Sequence, residues 1–91
     1  MKVLVLYQPD SEHRRTVETF VRDFKYQHEA NANQLEILDV NTRDGAATAT
    51  LYDVTQYPTV LVTADNGSII KSWIGDNLPL MDELASYVYA P

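Results

Sequence analysis

The chain has 91 residues, 45% hydrophobic and 22% charged, the composition of a folded globular domain and not of a disordered segment. Thirteen acids against seven bases give a net charge of −6, which argues against nucleic acid or an anionic membrane as partner, because both need clustered Lys and Arg. Cysteine is absent, so the chain has no thiol chemistry of its own. With only His13 and His28, far apart, no metal-ligand spacing appears and no cofactor is implied.

At this length a single domain over 1–91 is expected. The first element is the apolar, β-branched run Val3-Leu4-Val5-Leu6-Tyr7, a strand buried on both faces. It is too short for a signal-peptide core or a membrane span, so a cytoplasmic location is the default expectation. Pro9-Asp10-Ser11 breaks the strand, and Asp10 or Ser11 is placed to cap a following helix, with Glu12 near the positive end of its dipole. To about Ala30, Val17, Phe20, Val21 and Phe24 recur at helical spacing, while Arg14, Glu18 and Arg22 form an ion-pair row on the opposite face.

Asn31-Ala32-Asn33-Gln34 ends that helix. Leu35 to Val40 then alternates, with Leu35, Ile37 and Asp39 on one face and Glu36, Leu38 and Val40 on the other. A helical crossover makes these two strands parallel. Asn41 or Thr42 caps a shorter helix to about Tyr52, and Asp53 closes it in the left-handed conformation. After Tyr57-Pro58 comes a third strand, Thr59 to Ala64, joined through the turn Asp65-Asn66-Gly67 to a hairpin partner, Ser68 to Ile74. In that partner Ile70, Ser72 and Ile74 alternate against Ile69, Lys71 and Trp73. Pro79 suits the first turn of a last helix, packed through Leu80 or Met81, Leu84 and Val88. The fold class is α/β, in the order β-α-β-α-β-β-α, with a mixed four-stranded sheet between helices.

That order, together with Tyr52-Asp53-Val54-Thr55-Gln56-Tyr57-Pro58-Thr59, resembles the thioredoxin superfamily. There a Tyr-Gly-Val or Tyr-Gly-Ile step precedes an apolar residue, a cis-proline and a threonine. Asn66-Gly67 and Gly75 match the family's hairpin turn and its glycine after the last strand. The resemblance covers nearly the whole chain, without the first strand–helix pair of full-length thioredoxins. It departs at the redox centre. Counting from Tyr7, Ser11 and Arg14 stand where the family keeps its two cysteines, and Val5 stands where thioredoxins bury an aspartate.

The resemblance implies that the residue before the proline offers its backbone N–H and C=O to an extended peptide, a form of strand addition. The candidate binding residues are therefore Ser11, Arg14, Tyr57, Pro58, Thr59, Gly75 and Asp76, with a protein or peptide as partner. Each also has a plainer reading. Ser11 is a helix cap, since a serine nucleophile needs a base and His13 two residues on points elsewhere. Arg14 is either an anion ligand or a solvated cation opposed by Asp10 and Glu12. Pro58 shapes the loop, Tyr57 packs on it, and Trp73 packs at the core or edge. Two other functions stay open: a cysteine-free glutathione-binding protein, in which Gly75-Asp76-Asn77 echoes a glutaredoxin segment and Tyr7 or Ser11 activates the thiol, and an assembly protein resembling the thioredoxin-like clock protein KaiB. No enzyme activity is expected.

Overall fold

Why the first strand is so apolar follows from its place in the sheet. In the computed structural model, which describes residues 1–75 and 78–88, the strand order is β2-β1-β3-β4. β1 (Lys2–Tyr7) lies between β2 (Leu35–Asp39), to which it is parallel, and β3 (Thr59–Thr63), to which it is antiparallel. Its Val3, Val5 and Leu6 are almost wholly buried, and all of β3 is buried with it. β4 (Ile69–Ile74) pairs antiparallel with β3 and forms the other edge.

The pleat sends alternate residues of β1 and β3 into two separate apolar clusters. On one face Val3, Val5, Val60 and Val62 pack with Val17, Phe20, Val21 and Phe24 of helix α1 (Arg14–Gln27) and with Leu84 and Val88 of helix α3 (Met81–Val88). On the other face Leu4, Leu6 and Leu61 meet Ala49 of helix α2 (Arg43–Leu51), with Leu38, Val40, Tyr52, Val54 and Tyr57 around them. The expected sheet between helices is thus present, as is the expected division of β2 between its faces. Trp73 joins the larger cluster from β4, with Tyr87 edge-on at 5.8 Å and 81°.

α2 is seated by two small residues. The Thr42 hydroxyl accepts from the Gly45 N–H at 3.0 Å and donates to the Asp39 carbonyl at 2.7 Å, capping the helix onto the end of β2. Gly45 approaches that same carbonyl so closely that a β-carbon would lie 1.9 Å from it. At the other end of α2, Asp53 has φ 56°, the left-handed closure expected of it.

Several boundaries differ from the sequence expectations. α1 begins at Arg14 with His13 at its cap and no side-chain capping bond, because the Ser11 hydroxyl turns back to the Gln8 carbonyl instead. α1 ends at Gln27, and a 3-10 segment, Glu29–Gln34, leads into β2. In α3 Met81 packs on the core while Leu80 is exposed. The alternation along β4 is broken by a bulge: Val62 pairs with Lys71 but Thr63 pairs with Ile69, so Ile70 is the extra residue. Ile69 thereby joins Ser72 and Ile74 on the α2 face. The readings of Asp76 and Asn77 fall outside the described residues.

Candidate functional site

The Pro58 loop is held from three sides. The Tyr57-Pro58 peptide is cis, and Pro58 is buried. Its carbonyl accepts from the Gly75 N–H at 2.8 Å, tying the loop to the end of β4, where Gly75 has φ 84°, a conformation suited to glycine. The Thr59 hydroxyl donates to the Gln56 carbonyl at 2.6 Å. Tyr57 turns its ring into the α2-side cluster and donates its hydroxyl to the Val54 carbonyl at 3.3 Å. Its aromatic face is therefore packing. Its backbone is another matter: among the described residues, neither the N–H nor the C=O of Tyr57 has a hydrogen-bond partner.

The turn from β1 to α1 faces this loop. The Ser11 N–H donates to the Gln8 carbonyl at 3.1 Å, and the Ser11 hydroxyl donates to the same oxygen at 2.5 Å. The Gln8 N–H in turn donates to His13 Nε2 at 3.2 Å, which turns the imidazole back toward the strand end. Asn41 Nδ2 donates to Asp10 Oδ1 at 3.4 Å, linking this turn to the start of α2.

Two open depressions result. One, of about 340 Å³, is lined by Pro58 and Leu78 on one side and by Glu12, His13 and Thr16 on the other. The second, about 480 Å³, is lined by Ser11, Glu12, Arg14, Arg15 and Glu18. Glu12 borders both. The helix start does meet the proline loop, but through His13 and Thr16; Ser11 and Arg14 line the neighbouring hollow. Sequence reasoning missed Thr16 and Leu78 as lining residues. The signal for Thr16 was its three-residue spacing from His13, which sets both on one helical face.

Electrostatics give no anion site there. Arg14 Nε pairs with Glu18 Oε1 at 3.4 Å with both side chains exposed, while Arg22 pairs with Asp23 at 3.7 Å. A carboxylate entering the second depression would meet two acids along with its two bases. The Tyr7 phenol, at the end of β1, is held above its ordinary range by burial first and then by the Glu18 and Asp39 carboxylates, with Arg14 opposing. It stays a neutral phenol. No group of three His, Asp or Glu side chains among the described residues is placed to hold a metal ion.

These features define a thioredoxin-like fold, and solved structures agree. Thioredoxin 1 from the thermophilic eubacterium Thermosipho africanus TCF52B superposes with a TM-score of 0.67 at 14% identity, over 97% of this chain and 90% of that one. The first two thioredoxin domains of Saccharomyces cerevisiae Eps1p give 0.68 at 12% identity, over 96% of this chain and 34% of that one. At such identities the likeness is one of fold. No protein-family model and no curated protein matches the sequence. Among the described residues, no helix is long and apolar enough to cross a membrane.

Proposed function

We propose that this domain is a non-catalytic binding module that takes an extended peptide, or an extended segment of a protein, across the Pro58 loop. One observation carries the reading: the Tyr57 N–H and C=O have no partner among the described residues, and the depression of Pro58, Leu78, Glu12, His13 and Thr16 lies beside them. A backbone donor and acceptor on one residue match one residue of an added strand, and the depression receives the side chain next to it. Without cysteine the domain performs no thiol exchange on what it holds. It serves as a platform.

The experiment is a titration of the isotope-labelled chain with a set of extended peptides, followed through backbone amide shifts. Shifts should centre on Tyr57, Thr59 and Gly75 and reach His13 and Thr16. Thr16→Arg, an exposed change that fills the depression, should weaken binding about tenfold or more without altering the fold, equivalent to about 1.4 kcal/mol. Binding confined to another surface, or binding indifferent to Thr16→Arg, would remove this assignment.

A further inference from the structure

Three of the large hydrophobic side chains left exposed belong to one strand: Ile69 at 45%, Ile70 at 42% and Ile74 at 57%. That strand is β4, a sheet edge with no strand partner on its outer side among the described residues. Edge strands of this kind present unpaired N–H and C=O groups to any extended chain. Two further features select the chain. Residues 68–75 hold no acid and a single base, Lys71, so this edge is free of the negative charge that makes copies of a −6 chain repel. Beside it, Ile69, Ser72 and Ile74 help line an open hollow of about 130 Å³ whose floor includes Leu61 and Val54.

We infer that β4 is a self-association edge, on which a second copy of this chain pairs antiparallel about a twofold axis at Ser72. In an antiparallel pair, residues directly opposite share a face, so a one-residue slip would set opposite faces against each other. With Ser72 on the axis, Lys71 lies opposite the partner's Trp73, while Ile70, the bulged residue, stays outside the paired register. A two-residue shift one way sets Lys71 against the partner's Lys71, and the other way sets it against the partner's Gly75. Only the Ser72 register sets Lys71 against an aromatic ring. A lysine on an edge ordinarily discourages pairing. Here an aromatic ring answers it, as within one chain Lys71 Nζ already lies 5.8 Å from the centroid of its own Trp73. A six-residue edge buries less than the ~1,000 Å² of a stable interface, so the dimer is weak and concentration-dependent.

Sedimentation of the full chain from micromolar to millimolar concentration tests this. The mass should rise from 10.3 kDa toward twice that value, with amide shifts confined to β4 and its flanks. Ser72→Lys sets two like charges face to face at the axis, and Ile70→Lys puts a further charge on the apolar edge of each copy. Each should weaken association about fivefold to tenfold. Both positions are exposed, so unchanged thermal unfolding checks that the variants fold. Leu51→Lys, at a more exposed site on α2, should change nothing. A mass that stays at 10.3 kDa at millimolar concentration overturns the proposal, and so does a dimer indifferent to both lysine variants. A monomer that instead accepts an isoleucine-rich peptide along β4 also overturns it, making the occupant a foreign strand.

Discussion

Tyr7 joins the core to the candidate site. Its ring packs with the α1-side cluster while its hydroxyl lies in the field of Glu18 and Asp39. Because its folded pKa is raised, the neutral phenol is the form the fold favours. The stabilisation is fully present below the unfolded pKa near 10 and is lost as pH rises through the higher folded value. Denaturant unfolding between about pH 9 and 12 should therefore show stability falling on the alkaline side. Tyr7→Phe should remove Tyr7's share of that fall; an unchanged alkaline limb would mean that other tyrosines set it. At the same scale, the left-handed Asp53 was legible because its place after Tyr52 demands a positive φ whatever residue stands there. The free start of α1 was not. A serine before a helix is also able to hydrogen-bond its own turn, and Ser11 takes the Gln8 carbonyl in preference to a helix N–H.

α2 is the element whose seating is most sensitive to a single atom. A β-carbon at Gly45 would collide with the backbone carbonyl of Asp39, which ends the parallel strand β2 and cannot swing aside as a side chain would. Gly45→Ala should cost about 1–3 kcal/mol by overpacking, in spite of alanine's higher helix propensity. In a domain of this size each kcal/mol lowers the melting temperature by about 4–8 °C. A thermal melt that moves up on Gly45→Ala would show that propensity outweighs the contact. Propensity alone points the wrong way here, since the reason for the glycine lies in a neighbouring strand. β4 gave a similar lesson. Its alternation was read correctly from Lys71 to Ile74, but two adjacent isoleucines say nothing about which is the bulge, because the extra residue is set by pairing with Val62 and Thr63.

Across the whole molecule, the element order and the two-sided core were legible because each rests on hydrophobic periodicity, which burial enforces directly. The candidate site was legible only in part. Pro58 and the helix start do face one another, yet the contact runs through His13 and Thr16, since the onset of α1 at Arg14 decides which side chains look across. Global stability should be concentrated where β1 and β3 lie side by side, with nearly every residue sealed from water. Native-state hydrogen exchange should be slowest at the amides of Val3 to Leu6 and Val60 to Val62, and fastest within the sheet along the outer side of β4. Uniform protection across all four strands would contradict this distribution.

The two layers flanking the sheet are unequal. α1 anchors itself with four large side chains, whereas α2 buries only Gly45 and Ala49. Detaching α2 therefore exposes little apolar area, and its covering of Leu4, Leu6 and Leu61 is the cheapest part of the molecule to lift. Because Tyr57 rests in that same small cluster, transient undocking of this helix would also uncover the Tyr57 ring beside the candidate site.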